Sequence, residues 1–233
     1  MNAFDYGLLL YLNHLADQSP VFTKVVVAIY DDDLKSAFVA ALLWWVWFDA
    51  DGTTRQAETR ARIVAGFCGS ILCIVAVRVL AAALPFRMRP VSSDAIGLHF
   101  PIAPEGWGNW SAFPSDNAVL FFCLTMCLFS ISRVLGTVAL LDTALLIVVP
   151  RVFVGVHHPT DVLAGALIGG CAGYAVVREP LRSALAGPAL RWMRAHSASF
   201  YAAAFLISFL IAEVFWPALR LLRGIAKLAA IVR

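Results

Sequence analysis

Residues 136–177 read GTVALLDTALLIVVPRVFVGVHHPTDVLAGALIGGCAGYAVV. Two apolar runs, 136–154 and 159–177, flank a short polar joint. Each run approaches the about 20 residues of helix that a hydrocarbon core of roughly 30 Å demands. Runs of similar character lie at about 32–49, 62–84, 115–133 and 198–217. Six helices follow. The predicted fold class is all-α, a polytopic membrane bundle of about six transmembrane helices with an N-terminal interfacial helix. The chain reads as one domain over 1–233, with an interfacial segment at 1–31 and a basic tail at 218–233.

Composition agrees. The 233 residues are 61% hydrophobic and 14% charged, with a mean hydropathy of +0.80. A soluble domain is nearer half apolar and a quarter charged. The net charge of +3 sits in short links, so it reads as topology and not as a nucleic-acid surface. Arg55, Arg60, Arg62, Arg133, Arg178, Arg182, Arg191 and Arg194 mark three links as cytoplasmic, including a link over 178–196. Loops 85–114 and 155–158 then share the opposite face, while Arg220, Arg223, Lys227 and Arg233 leave the orientation of the tail open.

Residues 20–31 are too short and broken to count as a span. The first 20 residues lack the basic start of a signal peptide and read as an interfacial helix. Cys68, Cys73, Cys123, Cys127 and Cys171 all fall in apolar blocks without metal-ligand spacing, which makes them buried fillers. Gly165, Gly169 and Gly173 form a small-residue face, read first as packing within the chain and second as a dimer surface. Asp142 and Glu213 interrupt apolar runs and are read as structural hydrogen-bond partners or boundary residues. Asp31, Asp32 and Asp33 read as an acidic cap, Trp107 and Trp110 as interface anchors or lipid guides.

Three polar clusters fall on the non-cytoplasmic face: Arg87 to Pro90, Pro114 to Asn117, and Arg151 to Asp161. Arg87, Arg89 and Arg151 offer planar forks suited to phosphate oxygens. Pro114 and Pro159 each fit the opening of a helix, so two helix N-termini would aim N–H groups and positive dipole ends at one spot. Ser115 adds a hydroxyl. His157 and Asp161, four apart at a helix start, let the carboxylate reach one imidazole nitrogen and leave the other free to attack.

This pattern resembles the type-2 phosphatidic acid phosphatase superfamily, whose motifs are Lys-x6-Arg-Pro, Pro-Ser-Gly-His and Ser-Arg-x5-His-x3-Asp. Arg89-Pro90 match the end of the first, Pro114-Ser115 the start of the second, and Arg151, His157 and Asp161 the third at its full spacing. Within that family the chain is similar to bacterial undecaprenyl-diphosphate phosphatases. The resemblance implies His157 as nucleophile, Asp161 as its orienting carboxylate, and a phosphate seat at Arg89, Ser115, Asp116 and Arg151, with no metal and no cofactor. Three positions depart. Ala82 stands at the lysine of the first motif, for which Arg78 and Arg87 are the candidate substitutes. Pro150 replaces the serine of the third. Asn117 replaces the histidine that serves as general acid, and His99 is a candidate replacement. His158 reads as a neighbour packed under the loop.

The expected function is a lipid phosphatase, with undecaprenyl diphosphate as leading substrate, in the bacterial plasma membrane with its site facing the periplasm or exterior. Asn117 keeps open a phospholipid-binding member of reduced turnover, and a lipid phosphotransferase is the third reading. The expected partners are a lipid phosphate or diphosphate and the surrounding lipids, with no nucleic acid, and a homo-oligomer is left open.

Overall fold

The computed structural model describes residues 1–49, 53–93, 97–104 and 110–213. These are helices joined by short loops, without a strand among them: α1 Ala3–Gln18, α2 Pro20–Asp31, α3 Leu34–Asp49, α4 Thr53–Ala83, a 3-10 turn at Pro90–Ser92, α5 Asp116–Ile131, α6 Arg133–Leu141, a π turn at Asp142–Val148, α7 Val149–Phe153, α8 Pro159–Val176, α9 Leu181–Ala195 and α10 Ser197–Ala212. The all-helical expectation is met. Thr54–Ala83 and the continuous rod Arg133–Phe153 are each long and apolar enough to cross a membrane. The pair α8 and α9, bent by 71°, would add a third span, and α5 and α10 are shorter apolar helices.

α5 is the centre of the bundle. Ala118, Val119, Leu120, Phe121, Cys123, Leu124, Cys127 and Leu128 are all fully buried, which is the behaviour of a helix apolar all round. It lies between α4, α6 and α8. The approach of α8 is closest because three glycines face it. A Cβ on Gly165 would stand 2.7 Å from the Ser115 carbonyl, on Gly169 2.2 Å from the Val119 carbonyl, and on Gly173 2.5 Å from the Cys123 carbonyl. The small-residue face is thus packing within the chain, not a dimer surface.

The structure corrects several boundaries. The link 178–196 is largely helix. Leu185, Ala186, Ala189, Leu190 and Met193 of α9 join the core, while Arg182 turns outward to Glu58 and Glu179. Arg182, Arg191 and Arg194 belong to this amphipathic helix and not to a link. α4 begins at Thr53, because its charged first turns are sustained by an Arg62–Glu58 pair four residues apart. Residues 20–31 form an unbroken helix capped by the Ser19 hydroxyl, but at 12 residues it is too short to cross a membrane, as expected. Its end is the acidic cap: Asp32 Oδ1 accepts from Leu34 N at 2.8 Å. Cys171 is exposed and Cys68 and Cys73 half-buried, so only Cys123 and Cys127 are buried fillers. Asp142 is buried at the start of the π turn, and Glu213 caps α10. Span 198–217 ends as helix at Ala212, and 214–233, with the basic tail, lie outside the described residues.

Adjacent glycines provide a clean test of the α5–α8 contact. Gly169→Ala is expected to lower the melting temperature by several degrees, since a methyl must push two backbones apart. Gly170→Ala meets nothing within 4 Å and, as a better helix former, is expected to hold or raise it. Equal shifts in thermal unfolding in detergent would rule out the close contact.

Candidate active site

The C-terminal end of α4 and the N-terminal ends of α5 and α8 meet at one end of the bundle. The Ser115 N–H donates to the Asp161 carbonyl at 3.1 Å, which joins the first turns of α5 and α8 directly. Pro159 opens α8 as its first residue. Pro114 does not open α5; Ser115 is the N-cap and Asp116 the first helical residue, so Pro114 lies just outside.

The loop after α4 is stitched to the other two clusters by its backbone. Ala112 N donates to Arg87 O at 2.9 Å, and Val91 N to Gly155 O at 2.8 Å. Gly155 has φ +76° and a Cβ there would lie 2.5 Å from the Phe100 ring, so both its conformation and its surroundings require glycine. Ala112, placed in this way, accepts from His157 Nδ1 at 2.9 Å. A carbonyl can only accept, so Nδ1 carries the proton and Nε2 the lone pair. Arg89 Nη1 lies 3.4 Å from that Nε2 and donates to Val156 O at 2.8 Å. An anion drawn to Arg89 therefore arrives beside the imidazole lone pair.

Asp161 departs from the expected geometry. Its Oδ2 stands 3.8 Å from His157 Nδ1, and accepts instead from His158 N at 2.8 Å with His158 Nδ1 at 3.2 Å. The reason is helical. His158 is the N-cap and Asp161 the third residue of α8, so a capping box draws the carboxylate back to the cap. His158 is thus a structural cap, while Asp161 acts on His157 as a nearby charge.

Burial pushes the His157 pKa down to about 4; the Asp161 carboxylate opposes this and the Arg89 charge adds to it. Arg89 is likewise lowered by burial, to about 10, and stays cationic at neutral pH.

The remaining residues divide into two sets. Ser115 Oγ and Asn117 Oδ1 are buried without a hydrogen-bond partner. The other set is engaged. Arg78 binds Asp116 Oδ1 through Nε at 2.7 Å and Pro114 O through Nη2 at 2.7 Å, lying over the Trp110 ring at 5.1 Å. Asp116 also accepts from Trp110 Nε1 at 3.2 Å, which makes it a loop anchor. Arg151 donates to Ile147 O at 2.8 Å and lies 5.7 Å from the Tyr30 ring centroid, while its carbonyl accepts from the Val156 and His157 N–H groups. Arg87 is held between two carboxylates, Asp5 and Asp161. His99 is exposed, its carbonyl bonded to Asn13. Trp107 lies outside the described residues. Sequence reasoning missed Asp5, Thr160 and the Ala112 carbonyl, since nothing local marks them.

The sequence profile of the PAP2 superfamily matches residues 67–183, a stretch that holds all three clusters. The chain belongs to that superfamily. The putative undecaprenyl-diphosphatase YbjG of Escherichia coli (strain K12) is 24% identical over 185 residues, 78% of this chain and 87% of its own length. The bacitracin transport permease protein BcrC of Bacillus licheniformis is 39% identical over 59 residues, 25% of this chain and 29% of its own length. The chain thus covers less than a third of BcrC and most of YbjG. No solved structure matches. The chain is a phosphatase of the hydrolase class, and its apolar helices are those of a membrane protein.

His157 is expected to titrate near pH 4 in 13C-histidine NMR, with the His157→Ala spectrum giving the assignment. Above pH 6.5 it is neutral in both folded and unfolded states. As pH falls from about 6.5 to about 4 the unfolded chain binds a proton that the folded protein refuses, so stability drops over that window. A His157 signal moving between pH 6 and 7 would overturn the buried neutral imidazole.

Proposed function

We propose that this phosphatase hydrolyses an isoprenyl diphosphate, undecaprenyl diphosphate foremost, through a phosphohistidine on His157. The observation that carries the reading is the fixed tautomer: Nδ1–H on the Ala112 carbonyl, lone pair on Nε2 beside Arg89. In the proposed step Nε2 attacks the terminal phosphorus and the bridging P–O bond breaks. The lipid monophosphate departs with the bond pair. Water then cleaves the N–P bond, releasing inorganic phosphate and the free imidazole. Arg89 and the Ser115 hydroxyl hold the phosphoryl oxygens, Arg151 adds positive charge, and Asp161 stabilises the imidazolium that forms. The similarity to YbjG over most of both chains supports the diphosphate class.

Asn117 favours a diphosphate on separate grounds. Cleaving a lipid monophosphate expels an alkoxide, whose conjugate acid is nearly as weak as water, pKa about 15.7. A positioned acid is then worth roughly 10²–10⁴-fold, and an amide supplies none. A diphosphate expels a phosphate monoester with a second pKa of about 6, which leaves without a proton.

The basic ends of α4, α6 and α8, at Arg55, Arg133 and Arg178, lie at the opposite end of the bundle from His157. Under the positive-inside rule they face the cytoplasm. We therefore place the site at the outer surface of the bacterial plasma membrane, over a six-span layout.

His157→Ala is expected to abolish phosphate release while the protein still inserts and unfolds cooperatively; turnover above a tenth of the parent rate would move the nucleophile elsewhere. Asn117→His is expected to raise the rate on phosphatidic acid far more than on undecaprenyl diphosphate, measured on one preparation in one detergent. Equal gains would mean that Asn117 does not face the leaving group. Diphosphate binding without any release would make the chain a binding member, and an acceptor-dependent product a phosphotransferase.

A further inference from the structure

We infer that Asp5, in the first turn of the N-terminal helix, is a positioning residue of this active site, acting through Arg87 to fix the Asp161 carboxylate. The inference rests on the reading of His157 and Asp161 as nucleophile and partner carboxylate.

Asp5 is fully buried, although it lies at the start of a helix otherwise suited to a membrane surface. Burying a carboxylate is costly unless its oxygens are satisfied. Here they are. Oδ1 accepts from Thr160 N at 2.8 Å. Oδ2 accepts from Thr160 Oγ1 at 2.7 Å, Asn2 Nδ2 at 3.0 Å and Arg87 Nη2 at 2.6 Å. Asp5 thus caps α8 from outside that helix, taking an N–H that the first turn leaves without an intrahelical partner.

The Arg87 contact carries the consequence. One guanidinium edge bridges two buried carboxylates, with Nη2 on Asp5 and Nη1 on Asp161 Oδ1. Nη1 also donates to Thr160 Oγ1 at 2.9 Å, so a single hydroxyl accepts from Arg87 and donates to Asp5. A planar fork held at both nitrogens cannot rotate. With Oδ1 of Asp161 held by Arg87, Oδ2 is left to the His158 N–H and to His157. Neutralising Asp5 frees one side of the guanidinium, and Asp161 loses its fixed orientation beside His157. It also releases a strong cation next to the phosphate seat, from which Asp5 now restrains it.

The alternative is that Asp5 only docks α1 onto α8. The two are separated by comparing Asp5→Asn, Asn2→Ala and Arg87→Met, alone and with Asp5→Asn added, in detergent with undecaprenyl diphosphate. Asn keeps the size of Asp5 and an oxygen for Thr160 N. Groups that orient metal ligands from behind are worth roughly 10–100-fold, and a loss of the same order is expected for a group that orients the carboxylate beside a nucleophile. Asp5→Asn is expected to lower kcat at least about tenfold with KM within about twofold, and to add less than about twofold in the Arg87→Met background. Asn2→Ala removes the α1 cap and one neutral donor to Asp5 Oδ2 but leaves both ion pairs intact; it is expected to lower the melting temperature while kcat stays within about twofold. That comparison stands even where Arg87→Met does not fold. The inference is overturned if Asp5→Asn keeps kcat within twofold, if its loss is the same with and without Arg87, or if Asn2→Ala reproduces it. An active His157→Ala variant would instead sink the phosphohistidine reading itself. A dead His157→Ala beside an unimpaired Asp5→Asn would sink this inference alone.

Discussion

Two helix backbones in contact set the frame for everything else. α5 and α8 lie against each other because Gly165, Gly169 and Gly173 place no side chain between them. In an apolar surrounding, association of helices draws on van der Waals contact and close hydrogen bonding, and small residues permit both. The contact runs up to the first turns, where Ser115 N reaches Asp161 O. Two positive helix ends are thereby held side by side. Separate them by a methyl group and Ser115, Asn117 and Asp161 no longer share one site.

An apolar bundle gathers its charges at this end, and nearly every one is answered. Arg78 faces Asp116, Arg87 faces Asp5 and Asp161, and Arg89 faces the Val156 carbonyl. Burial makes unanswered charge expensive, so the open polar atoms stand out: the Ser115 hydroxyl and the Asn117 carbonyl oxygen. At the same end of the bundle, burial keeps the His157 imidazole neutral. Rigidity and chemistry here have one cause, a site dry enough to force pairing on some groups and withhold protons from another.

The three clusters are distant in sequence and are joined through backbone groups. Arg87 O fixes Ala112, Ala112 O fixes His157, and Gly155 O fixes Val91. Side chains that carry chemistry are therefore aimed in part by main-chain groups, which any residue could supply. Gly155 differs, since its positive φ and the Phe100 ring exclude other residues.

The sequence by itself determined the all-helical class, the apolar rods around α5 and α8, and the grouping of Arg89, Ser115 and His157 at one end. Hydrophobic runs and helix-start residues act locally, so they can be read locally. It also pointed to His157 through the spacing to Asp161, but that spacing misled in detail: the capping box turns Asp161 toward His158. Only the tertiary structure decided the tautomer of His157, because its partner is a carbonyl 45 residues away. Only the tertiary structure turned 181–195 from a basic link into a helix packed on the core, and brought Asp5 to an arginine 82 residues distant. Such contacts depend on where whole helices lie, and no pattern within either segment encodes that placement.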